Sequence, residues 1–161
     1  MYNKILVPLD RSKRAETILP YVEELARQFH ATLILLSIIE PPPLMVETQG
    51  GFSSYALYVE EIPRYTRETK GYLTGIAEQL SKDQIQSKIC VEQGPTVQTI
   101  LAVAAREQVE LIALASHGRS GLARVFYGSV AAGILHQTEW PLLLIRTQNE
   151  VDTPANEPAP Q

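Results

Sequence analysis

A single cysteine among 161 residues leaves no way to build an intrachain disulfide or a cysteine-ligated metal cluster. That residue, Cys90, sits in a strand-like stretch from Ser87 to Glu92, where a small apolar thiol is expected to be buried and structural. A basic surplus is missing too: 14 Lys and Arg face 18 Asp and Glu, for a net charge of −4. Affinity for a nucleic-acid backbone comes from clustered cations. General nucleic-acid binding is therefore excluded, and any polyanion taken up must be small and held locally. No apolar run approaches the ~18 residues that span a bilayer. No basic segment followed by an apolar core precedes Lys4-Ile5-Leu6-Val7, which reads directly as strand, so the expected location is cytoplasmic. Two phosphate-binding signatures are absent as well. Where a dinucleotide fold carries its Gly-rich fingerprint, after the first strand, this chain has Asp10-Arg11-Ser12-Lys13-Arg14, and no GxxxxGK(S/T) loop occurs. NAD and Walker-type chemistry are unsupported.

What is present is the composition of a folded globular chain, 45% apolar and 20% charged, of a length that suits one core rather than two. Ile5 to Leu9 is an apolar run ending in a polar loop, which predicts a strand buried on both faces. Ala15, Ile18, Leu19, Val22, Leu25, Ala26 and Phe29 then recur at helical spacing, with Ser12 or Asp10 placed to cap the start. Thr32 to Ile39 is a second buried strand, stopped by Glu40 and three prolines. From Pro41 to about Ile62 no period is sustained, and the stretch is expected to be a long loop. Helical spacing returns at Tyr65, Tyr72, Leu73, Ile76, Ala77 and Leu80. A short strand follows from Ser87 to Val91, and Gly94-Pro95-Thr96 opens a helix through Val97, Ile100, Leu101 and Ala104. Leu111 to Ala115 predicts the fourth strand, Ser116 to Gly121 a polar loop, Gly128-Ser129 the start of a helix, and Pro141 to Ile145 the fifth strand. This alternation calls for an α/β fold: an open, doubly wound, mostly parallel five-stranded sheet with helices on both faces. Residues 1–146 are expected to form one domain. Residues 147–161, with three prolines and no large apolar residue after Val151, are expected to form a disordered acidic tail.

Ligands of doubly wound sheets bind beyond the C-terminal ends of the strands, where the strand order reverses. Three segments qualify: Pro8-Leu9-Asp10, Ile38-Ile39-Glu40, and Ala115 through Ser129. The third joins strand to helix through Gly118, Gly121 and Gly128, with Arg119 and Arg124 interspersed and Ser129 at the helix start. Glycines let backbone amides approach an anion, and a helix N-terminus offers unpaired donors. These are the parts of a phosphate cradle, and equally those of a helix-capping turn with surface arginines.

The segment from Leu111 to Arg146 (LIALASHGRSGLARVFYGSVAAGILHQTEWPLLLIR), with the opening KILVPLD and the later LLSIIEPP, resembles the universal stress protein family over nearly all of residues 1–146. The resemblance implies the fold of the adenine-nucleotide α-hydrolase group and, in the family's ATP-binding members, a pattern of glycine, two residues, glycine, nine residues, glycine, then Ser or Thr. Gly118 and Gly128-Ser129 match that pattern, while Ala115 occupies the first glycine position. Carried over residue by residue, the resemblance puts a triphosphate against Gly118, Arg119, Gly128, Ser129 and Val130, and Asp10 near the ribose. The backbone of Ile38 would read the adenine edge, with Pro8, Leu9, Leu114 and Ala115 completing the pocket. His117 is either a polar loop residue or a phosphate neighbour. The implied ligand is ATP or another adenine nucleotide with Mg2+, in a stress-response or signalling module. A partner-binding homodimer of the same fold without nucleotide is the alternative, and Ala115 favours it.

An adenylating enzyme is unsupported, because the Ser-Gly-Gly-x-Asp-Ser loop of that related group is absent after the first strand. Nor does any carboxylate occur between Leu111 and Gln137 to orient a water. The expectation is binding with slow hydrolysis at best, no catalytic residue and no dedicated metal site. An apolar fifth strand at a sheet edge invites another chain, so a homodimer through Pro141 to Ile145 is expected, as the resemblance also implies.

Overall fold

The computed structural model describes residues 2–41, 54–118 and 128–148. Along the chain run β1 (Lys4–Pro8), α1 (Lys13–Glu16), α2 (Leu19–Phe29), β2 (Thr32–Ile39), α3 (Ser54–Lys82), β3 (Ser87–Gln93), α4 (Thr96–Glu107), β4 (Leu111–Gly118), α5 (Ser129–Gln137) and β5 (Leu142–Gln148). The five strands form one sheet in the order β3-β2-β1-β4-β5, and every pairing is parallel. The sheet is thus all-parallel, where the sequence called for mostly parallel.

Period-two alternation divides the core. Ile5 and Val7 of β1, Leu33 and Leu35 of β2, and Leu111 and Ala113 of β4 face one way, onto Val22 and Ala26 of α2 and Leu73, Ile76 and Leu80 of α3. Leu6, Ile34, Leu36, Ile112 and Leu114 face the other way, onto Ile100, Val103 and Ala104 of α4 and Ala131 and Ile134 of α5. The reversal of strand order accounts for the two layers. The chain moves from β1 outward through β2 to β3, then returns past β1 to β4 and β5. Crossovers of constant right hand in opposite directions place their helices on opposite faces. Cys90 is buried on the α4 side, and burial pushes its thiol pKa up, with Glu107 adding to the effect.

Four local expectations are corrected. The helix expected from Ala15 to Phe29 is two helices broken at Thr17 and Ile18. Pro20 stands in the first turn of α2, where its missing N–H costs nothing, whereas in one continuous helix it would have broken the bond to Glu16. The loop expected up to Ile62 is helix from Ser54 onward, with Pro63 inside α3. The fourth strand continues past Ala115 through Ser116, His117 and Gly118, because β5 is longer too, pairing Ser116 with Arg146, His117 with Thr147 and Gly118 with Gln148. β5 accordingly starts at Leu142 and runs to Gln148, three residues beyond Ile145 and into the stretch expected to be tail. The remainder of that tail lies outside the described residues.

Candidate functional site

Pairing between β1 and β2 runs from Lys4↔Thr32 to Pro8↔Leu36. Pairing between β1 and β4 is registered only at Ile5↔Leu111 and Leu6↔Ile112. Beyond Leu6 the two middle strands part, and this is the point where the strand order reverses. A cleft of about 420 Å³ opens there, on the side of α4 and α5.

Its walls follow from the same alternation that builds the core. On each of the three strands that reach it, the face toward α4 and α5 changes from apolar to polar at or just past the C-terminal end: Leu6 and Pro8 of β1 are followed by Asp10, Leu36 and Ile38 of β2 by Glu40, and Ile112 and Leu114 of β4 by Ser116. Helix starts supply the remaining walls, Thr96 of α4 on one side and Gly128, Ser129, Val130 and Ala131 on the other. Gly128 is the N-cap of α5 and makes no side-chain cap bond. The Ala132 amide bonds the Gly128 carbonyl at 2.9 Å, so the amides of Ser129, Val130 and Ala131 precede the first intrahelical bond and point out of the helix end. With the positive end of the helix dipole they form a surface suited to an anion.

Asp10 lines the cleft two residues beyond the end of β1. Its carboxylate accepts hydrogen bonds from the Ser12 amide at 3.0 Å and from the Ser12 hydroxyl, and Arg14 approaches its other oxygen at 3.5 Å. Ser12 in turn caps α1 by accepting from the Ala15 amide at 3.1 Å. Burial raises the Asp10 pKa, but the Ser12 hydrogen bonds and the Arg14 charge outweigh it and hold the carboxyl below its ordinary value of 3.8. Asp10 is therefore an anchored carboxylate, able to accept from ligand hydroxyls without taking up a proton at neutral pH. Toward β2 the backbone itself is available. The Leu9 amide donates to the Leu36 carbonyl at 2.8 Å, and the Leu9 carbonyl accepts from the Ser37 hydroxyl. Alternate residues of a strand direct both amide and carbonyl the same way, so Ile38 aims its pair where Leu36 does, past the end of β1 and into the cleft.

The structure brings Pro8, Leu9, Asp10, Ile38, Leu114, Ala115, Gly128, Ser129 and Val130 to this one cleft. His117 and Gly118 stand at the end of β4, two and three residues beyond Ala115, and Arg119 and Arg124 lie outside the described residues. Ala115 packs toward the α1–α2 core rather than toward α5. Glu40 and Ser116 lie inside the segments the sequence pointed to, though without a role of their own, whereas sequence reasoning missed Arg14 and Thr96 as cleft residues. The signal that finds Ser116 and Glu40 is the alternation itself, continued past the last apolar residue of each strand. Among the described residues no group of three or more His, Cys, Asp or Glu converges to hold a metal ion.

A family model described as the universal stress protein family matches residues 1–146. The chain belongs to the universal stress protein family. It is similar to universal stress protein MJ0577 of Methanocaldococcus jannaschii, 27% identical over 158 residues that cover 92% of this chain and 98% of that one. The solved structure of MJ0577 matches with a TM-score of 0.72 over 92% of this chain and 99% of that one. Universal stress protein Sll1388 of Synechocystis is 28% identical over 153 residues, 90% of this chain and 98% of the relative. Two structures of the same fold were solved with ligands. One is the Archaeoglobus fulgidus universal stress protein in complex with dAMP, at 18% identity, TM-score 0.58 and coverage of 89% and 98%. The other is a universal stress protein in complex with cAMP, at 15% identity, TM-score 0.59 and coverage of 89% and 96%. No helix among the described residues is long and apolar enough to cross a membrane.

Proposed function

We propose that this universal stress protein binds an adenine nucleotide, ATP with Mg2+, in the cleft between β1 and β4, and that it acts as a stress-response or signalling module rather than as an enzyme. The observation that carries the reading is the make-up of the cleft: the start of α5 with three outward amides on the β4 side, apolar Leu36 and Ile38 on the β2 side, and the Asp10 carboxylate just beyond β1, the strand that lies between β2 and β4. A nucleotide has the same order of chemistry. Phosphate oxygens take the amides of Ser129 and Val130 and the loop around Gly118, and Arg119 belongs to the same segment. Ribose hydroxyls donate to Asp10. The base lies against the apolar wall with its edge toward the amide and carbonyl of Ile38, a donor beside an acceptor, as adenine requires. Binding of dAMP and cAMP by two proteins of this fold is compatible with that placement. Ala115 packs against the core on the side away from α5, so its methyl does not compete with a phosphate for the amides at the start of that helix.

Mg2+ arrives with the nucleotide in this reading, held by phosphate oxygens and at most one carboxylate, since the described residues form no cage of their own. Turnover is not the function. Asp10 is occupied by Ser12 and Arg14 at the ribose position, and a ligand bound without groups that favour the transition state sees no lowered barrier. The test is mass spectrometry of protein denatured directly after purification, followed by a single-turnover incubation with protein in excess. Released adenine nucleotide, and added ATP recovered intact, are the expected results. Protein that carries none and binds none on addition refutes the nucleotide reading, and ATP consumed within seconds refutes its non-enzymatic part.

A further inference from the structure

Arg14 lines the cleft and has no role of its own in the account above. It belongs to α1, which packs against β4, and its neighbour Ala15 and Ala115 of β4 lie against the same core. Arg14 therefore stands on the β4 side of the cleft, where the start of α5 also lines it. Its guanidinium Nη2 is 3.5 Å from one oxygen of Asp10, and Ser12 holds the other through its amide at 3.0 Å and its hydroxyl. Burial is the largest influence on the Asp10 pKa and raises it; among those that lower it, the Ser12 bonds exceed the Arg14 charge. The orientation and ionisation of Asp10 thus rest on Ser12 first. Charge balance gives Arg14 a further task. Among the described residues that line the cleft, Asp10 and Glu40 are carboxylates and Arg14 is the one cation. Two carboxylates oppose the entry of an anion, and backbone amides at a helix start carry only a partial positive charge.

Resting on the nucleotide reading given above, we propose that Arg14 is a phosphate-binding residue of the cleft and sets its preference for a polyphosphate over an uncharged nucleoside. A guanidinium carries five N–H donors, so a contact with Asp10 and a contact with a phosphate oxygen are compatible. Its planar fork matches the geometry of a phosphate, and its charge is permanent. The Asp10 carboxylate keeps that charge at the cleft wall, between the ribose position and the α5 amides.

The probes are ATP, with Mg2+ held constant, and adenosine, which shares base and ribose and carries no phosphate, each titrated into the full chain. Arg14→Gln should weaken ATP by about tenfold or more, the range of a hydrogen bond to a charged group, and leave adenosine affinity close to that of wild type. Retained adenosine binding also shows that the variant is folded. Arg14→Lys keeps a cation without the planar fork, so its ATP affinity should fall between those of wild type and Arg14→Gln. A role limited to orienting Asp10 acts on the ribose, which both ligands share, and would weaken both equally. Equal weakening, ATP affinity unchanged in Arg14→Gln, or a lysine variant no better than the glutamine one overturns the role of Arg14 while leaving nucleotide binding standing. A wild type that binds neither ligand overturns the underlying reading, and this inference with it.

Discussion

Gly128 shows how the structure sharpens an argument about one residue. Its backbone, φ −57° and ψ 157°, is one that any residue adopts. Glycine is therefore not required there for backbone freedom, and its value lies in the bare approach it gives to the amides of Ser129 and Val130. Gly128→Val should fold with an unchanged circular dichroism spectrum and yet lose nucleotide affinity by about 10- to 100-fold, the worth of hydrogen bonds to a charged group. Titration calorimetry showing wild-type affinity in the folded variant would place the phosphates elsewhere. Gly94 is the opposite case. It adopts φ +137°, and a Cβ there would come within 2.9 Å of the Thr99 hydroxyl, so the turn from β3 into α4 depends on the missing side chain itself. Both glycines were visible in the sequence as helix-start signals, but the sequence could not show that they act for different reasons, because φ is a property of the folded turn.

Among the elements, α3 was half legible. From residue 59 onward, where side chains are described, its buried residues, Thr69, Leu73, Ile76 and Leu80, keep helical spacing and lie C-terminal to Pro63. Residues 59–62 contribute no buried side chain, so they leave no apolar stripe for a pattern argument to find, and the proline argues locally against helix. The α4–α5 contact was illegible for a different reason. A Cβ on Gly133 of α5 would lie 2.8 Å from a methyl of Val97 on α4, so the two helices approach as closely as a glycine allows. Valine is stiff at χ1 and cannot swing clear. Gly133→Ala should therefore cost about 1–3 kcal/mol of stability despite its better helix propensity. Adding Val97→Ala should return part of that loss. Chemical denaturation of the four proteins measures the coupling, and purely additive effects would show that the contact is not tight.

At the scale of the whole molecule, the two edges of the sheet differ. On β3, Lys88 pairs with Glu107 at 2.6 Å and Glu92 with Arg106 at 2.7 Å, and charges along an edge discourage strand addition. β5 offers Leu142 to Ile145 in succession before its first charge at Arg146. We therefore place the proposed two-fold homodimer at β5. The register refines its test. The Ile112 amide bonds the Pro141 carbonyl at 3.0 Å, so odd-numbered residues of β5 turn their amides and carbonyls to β4 and even-numbered ones turn them outward. Leu144→Pro removes an outward donor and leaves the β4 ladder whole. It should convert dimer to monomer in sedimentation velocity at micromolar concentration, with the fold retained. A wild type that is monomeric there, or a variant that stays dimeric, places the interface elsewhere.

The sequence by itself determined the strands, the two-faced core and the end of the sheet at which chemistry should sit. These depend on period, burial tendency and local capping, which are carried by near neighbours in the chain. Only the tertiary structure decided that β4 and β5 extend each other by three residues beyond Ala115 and Ile145, that β1 and β4 part after Leu6, and that Arg14 and Thr96 share a cleft with Asp10 and Ser129. Each depends on register between segments distant in sequence. A strand's length is set by the partner it pairs with, and a pocket by where two partners stop pairing, and neither is encoded in the local period of either one.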